Sequence, residues 1–216
     1  MHFQFGAYQL MIELKRALFP DGEDKLPRLK DESAQAWTLN ALANSYAGSG
    51  QPRRAVPLFE MVIALKEKAG DKKNLAIGLG NVSGQQLVIG ALSTAQHNLR
   101  RQIDLCREIA DEYVEANGHH ELAHVLSYCG KWQDAEQEQE QALSLVKKLS
   151  MLQAEGTIWS YRAMRFLLLA RDNPKSKIEN LKSSIECARR ALELADEWKK
   201  ITGRSNPNPR DYTRGL

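Results

Sequence analysis

The chain has 216 residues, 43% of them hydrophobic and 26% charged, the balance of a soluble protein with one large core or two small ones. Thirty Lys and Arg against 27 Asp and Glu leave a formal charge of only +3, which excludes a chain-wide electrostatic footprint for nucleic acid. Apolar runs such as Phe166 to Ala170 are far too short to span a bilayer, and the first ten residues lack the basic start and apolar stretch of a secretion signal. Cys106, Cys129 and Cys187 are isolated, with no CxxC pair. They are expected to be small buried residues in a reducing, cytoplasmic setting, without a disulfide framework and without a catalytic thiol.

Helical periodicity dominates from end to end. Residues 1–19 hold a predicted helix, Leu10-Met11-Ile12-Glu13-Leu14-Lys15, that parallels Met61-Val62-Ile63-Ala64-Leu65-Lys66 further on. It reads as the second helix of a partial unit, either a fragment of a longer array, the favoured reading, or a cap. Residues 20–30 form a polar, proline-containing linker. Residues 31–202 form an array of predicted helix pairs, in units of about 31–70, 71–110, 111–150 and 151–202. The turn-rich segment 203–216 is expected to be a flexible tail.

The units are visible as a forty-residue period. Asp31, Asp71 and Asp111 keep it, and each suits a helix start, where a short carboxylate meets unpaired backbone N–H groups. Gly50, Gly90 and Gly130 keep it as turns between helices. Ala55, Ala95 and Ala135 follow five residues later, where two antiparallel helices approach too closely for a larger side chain. Pro52 suits the first helical turn, whereas Pro57 is expected to kink its helix or delay its start. The last unit is irregular: Ala170 stands where the turn glycine belongs, and an insertion around Arg171 to Lys175 delays its second helix.

The pattern resembles the tetratricopeptide repeat, in a long-helix form similar to the kinesin light chain type or to bacterial regulatory arrays. Leu39, Leu42, Ala43, Tyr46, Gly50, Ala55, Phe59 and Val62 fall on that family's packing positions. So do Leu79, Val82, Gly90, Ala95 and Leu99, then Leu122, Ala123, Leu126, Gly130 and Ala135, and finally Trp159, Ala163, Phe166 and Ala191. The family's unit is shorter than forty residues. Gln86 and Gln139 stand where large apolar residues are expected, so those interfaces should be looser or more polar. The resemblance implies an all-α, right-handed superhelical solenoid of antiparallel helix pairs, and a protein or peptide as partner, with no cofactor, no nucleic acid and no membrane.

In that family the first helix of each pair lines a concave face. The resemblance maps Trp37, Asn40, Asn44, Ile77, Asn81, Asn117, His120, Glu121, His124, Tyr128, Tyr161 and Met164 onto it. Asn side chains pair a donor with an acceptor, which suits the backbone of an extended peptide. Gly78, Gly80 and Gly84 crowd one predicted helix at a cost of about 1 kcal/mol each relative to Ala, and close approach of a neighbour or a bend in the array would explain them. His120-Glu121-Leu122-Ala123-His124 is an HExxH string, whose histidines share one helix face and could hold zinc. A third ligand is not evident, so the expected role is a polar surface patch. The main reading is a non-enzymatic interaction module or scaffold, the sensing or partner-binding arm of a larger regulatory protein. The alternatives are a zinc-dependent peptidase at 120–124 and an array that self-associates through its end repeats, near Leu10 and Leu14.

Overall fold

The computed structural model describes residues 8–203; the expected tail beyond Gly203 lies outside the described residues. Within them the chain is all-α, with no strand. Its helices are α1 (Tyr8–Arg16), α2 (Glu32–Gly48), α3 (Pro52–Lys68), α4 (Lys72–Val88), α5 (Leu92–Ile109), α6 (Glu112–Tyr128), α7 (Trp132–Lys148), α8 (Leu152–Asp172) and α9 (Lys177–Thr202), with a 3₁₀ turn at Pro174–Ser176. The chain divides into two compact units, one ending at Asp111 and the other beginning at Glu112. The first is built from the antiparallel pairs α2–α3 and α4–α5, with α1 packed on α2; the second is built from α6–α7 and α8–α9.

Local chemistry sets the helix ends. Asp31 accepts a hydrogen bond from the Ala34 backbone N–H at 2.7 Å, and Asp71 one from that of Asn74 at 3.1 Å, each satisfying a donor that the helix leaves unpaired. Between paired helices the chain reverses at Gly50 and Gly90, at φ of +78° and +80°, a region that costs glycine nothing. Where one pair gives way to the next, the same left-handed turn falls on Gly70, Ala110 and Ser150. The last two carry a side chain into a conformation that disfavours one.

Apolar spacing then builds the cores. In the first unit Leu39, Leu42 and Tyr46 of α2 meet Leu58, Phe59 and Val62 of α3, and α1 adds Ile12. Full burial of each such Leu or Phe is worth roughly 1.5–3 kcal/mol. In the second unit Ala116, Ala142, Leu143, Val146 and Ile158 form one cluster, flanked by Met151 and Ala154. Ala55, Ala95 and Ala135 are completely buried, as close helix approach requires.

Several expectations change in detail. The helix α3 begins at Pro52 and runs through Pro57. Pro57 is exposed, so water can satisfy the carbonyl that loses its helical partner. No turn occurs at Ala170, because α8 continues to Asp172 and the inserted segment becomes the 3₁₀ turn. Cys106 and Cys187 are buried, but Cys129 is exposed, lying just past the last turn of α6. The segment expected as a linker is anchored: Phe19, just before it, is buried, and the Tyr46 hydroxyl donates to Glu23 within it at 2.8 Å. Glu23 also pairs with Arg16 and Arg54. Burial first, then Glu23, raises the Tyr46 pKa to about 12. No helix among the described residues is long and apolar enough to cross a membrane.

Candidate functional site

In the first unit Trp37, Asn40 and Asn44 recur on one face of α2, and Ile77 and Asn81 on one face of α4. Trp37 is 68% exposed, with the Lys15 amine 5.6 Å from its ring centre. Ile77 is also exposed, whereas the three asparagines are half-buried. Asn44 Nδ2 donates to the Asn40 carbonyl at 2.8 Å, which orients the amide and presents its Oδ1 as an acceptor.

The glycines of α4 have unequal roles. A Cβ at Gly80 would come within 2.9 Å of the Gln102 amide, a side chain from α5. At Gly78 it would make ordinary contact with Ile63, and at Gly84 it would meet nothing within 4 Å. Close approach of a neighbour therefore explains Gly80 alone. The polar positions foreseen at Gln86 and Gln139 are bonded rather than loose. Gln86 accepts from Asn98 at 3.0 Å, and Gln139 from Arg165 at 2.9 Å.

The second unit brings its mapped residues together. Helical spacing puts His120 and His124 on one face of α6, and Tyr161 of α8 meets both. Each imidazole lies 4.3 Å from the Tyr161 ring, edge to face. His124 also touches Tyr128, at 5.1 Å between ring centres, and the Tyr128 hydroxyl reaches Met164 Sδ at 3.9 Å. His120 and His124 are 5% and 7% exposed, so they are packing groups rather than an open polar patch. Burial lowers their pKa values to about 4 and about 3, with the neighbouring His120 charge adding to the effect on His124. Both imidazoles are therefore neutral at neutral pH. Glu121 is half-buried, and Asn117 is exposed.

This arrangement bears on the zinc expectation. The two histidine rings are directed at a tyrosine ring. The adjacent His119 is taken by Glu138, Nδ1 to Oε2 at 2.5 Å. Among the described residues no group of three or more His, Cys, Asp or Glu side chains is placed to hold a metal ion. The described residues thus place no third ligand beside the HExxH string to support the zinc peptidase alternative.

Beside His120 a pocket of about 230 Å³ opens between α6, the end of α7 and α8. Its floor is the core cluster at Ala116, Val146 and Ile158; Asn117, Glu121, Gln153 and Thr157 stand around it. Sequence reasoning mapped Tyr161 on the α8 wall but missed Gln153, Ala154, Thr157 and Ile158 beside it and Val146 of α7. Gln153, Thr157 and Tyr161 are spaced four apart along one helix face, but mixed polar and apolar chemistry at that spacing forms no motif.

A tetratricopeptide repeat family model matches residues 35–69 and 120–150, that is α2–α3 and the later part of α6 with α7. Solved structures share the fold at low identity. A Podosopora anserina kinesin-light-chain-type protein of nearly identical TPR-like repeats is 17% identical, with a TM-score of 0.66 over 92% of each chain. A second structure of that kind from the same organism is 18% identical, with a TM-score of 0.63 over 94% of this chain and 92% of the other. BtubC (BKLC) from P. vanneervenii is 16% identical, with a TM-score of 0.65 over 97% of this chain and 80% of that one. Comparison with curated proteins finds no match.

Proposed function

We propose that the chain, a TPR-like repeat module suited to protein–protein interaction, takes an extended peptide or a helix on the first helices of its pairs. The observation that carries this reading is the face of α2, where Trp37 stands 68% exposed beside the oriented Asn40–Asn44 pair. An exposed indole offers a large, rigid anchor, and an oriented amide reads a backbone N–H. Such a surface suits a scaffold or the partner-binding arm of a larger regulatory protein. The free thiols of all three cysteines fit a cytoplasmic setting.

Selection of a random 12-residue peptide library on the full chain tests this, followed by anisotropy titration of the recovered peptides. Binders should saturate, and Asn44→Ala should weaken them by about fivefold with an unchanged far-UV melting curve. Equal affinity for Asn44→Ala removes that residue from the site, and failure to recover any binder rejects the reading.

Self-association has its own supporting observation. Leu10 and Leu14 of α1 are 55% and 61% exposed, and Ile178, Ile185 and Leu192, seven apart along α9, are 73%, 58% and 68% exposed. Apolar stripes of this kind call for a cover. Light scattering at rising concentration decides between the readings, since a monomer throughout rejects the second.

A further inference from the structure

The pocket of about 230 Å³ in the second unit is below the ~300–1,000 Å³ of sites that enclose a whole small molecule, so it suits one large side chain. Its deep wall is apolar, with Ala116, Val146 and Ile158 each 2% exposed. Tyr113, 54% exposed, stands at its open side. Set into the wall is His120, which is 5% exposed. Its Nδ1 is sealed with no hydrogen-bond partner. Its Nε2 is not sealed, and it meets no donor or acceptor among the described residues.

An unpaired polar edge in an apolar wall costs free energy until an occupant completes it. A neutral imidazole carries its one proton on either nitrogen, so Nε2 either donates or accepts. A hydroxyl answers both cases, because it donates and accepts through one atom. An ammonium or guanidinium only donates, a carboxylate only accepts, and each would have to leave water against an apolar wall. Serine, threonine and the side-chain amides have the polar atoms but stems too short to cover the floor. A phenol joins the hydroxyl to a flat apolar body, whose ring can pack edge to face with that of Tyr113.

We propose that this pocket receives the phenol of a tyrosine side chain from a partner peptide, with its hydroxyl on His120 Nε2. This assignment rests on the recognition reading above, and its site is separate from the face of α2 that tests that reading.

The full chain is titrated with p-cresol, toluene, butyrate and n-butylammonium while backbone amide NMR shifts are followed. The p-cresol titration should give saturable shifts at Ala116, Asn117 and Thr157. Toluene has the same ring without the hydroxyl and should bind about fivefold more weakly, and the two ions should give no saturable shift. His120→Phe keeps a ring in the wall but offers no hydrogen bond, so p-cresol should lose about fivefold in affinity and fall to the level of toluene. Ala154→Leu, which fills the pocket from α8, should abolish binding of both. The difference between p-cresol and toluene is read on the parent chain and stands whether or not a variant folds. Equal affinities for p-cresol and toluene, saturable binding of either ion, or undiminished p-cresol binding in either variant overturns the proposal. Library-selected peptides that bind without preferring tyrosine also overturn it, while the recognition reading stands. Conversely, p-cresol held in the pocket when no peptide is recovered rejects a peptide as the source of the phenol, and the recognition reading with it.

Discussion

Arg165 Nε donates to Gln139 Oε1 at 2.9 Å, and both residues are almost completely buried. The guanidinium reaches out to Glu136 at 3.1 Å and lies over the Phe166 ring at 4.5 Å. A glutamine at an apolar repeat position is thereby explained, since it serves a buried cation on the neighbouring pair. Burying a charge without such partners is far costlier than burying a methylene.

Gln139→Leu alone should therefore destabilise the second unit by about 1–3 kcal/mol, because it removes an acceptor and leaves the guanidinium buried. The double variant Gln139→Leu, Arg165→Leu should recover most of that loss, since neither polar partner then remains. Urea denaturation of the single and double variants checks this, and strictly additive losses would reject the coupling.

Two opposite exchanges involving glycine and alanine should both stabilise. Gly84 lies inside α4 with open space where a Cβ would stand, so Gly84→Ala should contribute about 1 kcal/mol. Ala110 is exposed at a φ of 54°, so Ala110→Gly should contribute about 0.5–1 kcal/mol by relieving left-handed strain. Thermal melts of each variant give the sign directly.

Ala95 is 0% exposed at the start of α5. Ala95→Leu should overpack the α4–α5 junction and cost about 1–3 kcal/mol. An unchanged melting midpoint would show that the helices can part there without loss.

Acid should weaken the second unit through His120 and His124. Their folded pKa values, about 4 and about 3, lie below the unfolded value of roughly 6.5. The unfolded chain therefore binds protons that the folded chain refuses. Stability is complete above pH ~6.5 and falls as the pH drops toward 4, by about 2 kcal/mol per histidine at pH 5. The depressed Asp71 carboxyl acts below its ordinary value of 3.8, outside this window. Urea midpoints at pH 7 and pH 5 should differ, and His124→Leu should shrink the difference by about half. A pH-independent midpoint would mean that the imidazoles find proton acceptors in the folded state.

The helical class, the small residue at Ala55, Ala95 and Ala135, and the caps at Asp31 and Asp71 could be read from the chain alone. Each follows from rules that act over a few residues: helical spacing, side-chain volume and the unpaired N–H groups of a helix start. The site was legible only as a list of positions. Spacing put His120 and His124 on one helix face, but their burial depends on Tyr161, some forty residues away. The acceptor for Arg165, the open space at Gly84 and the pocket between α6 and α8 were likewise settled by packing. A polar side chain takes its character from what stands opposite it, and in stacked helices the opposite residue belongs to another helix, beyond the reach of any local pattern.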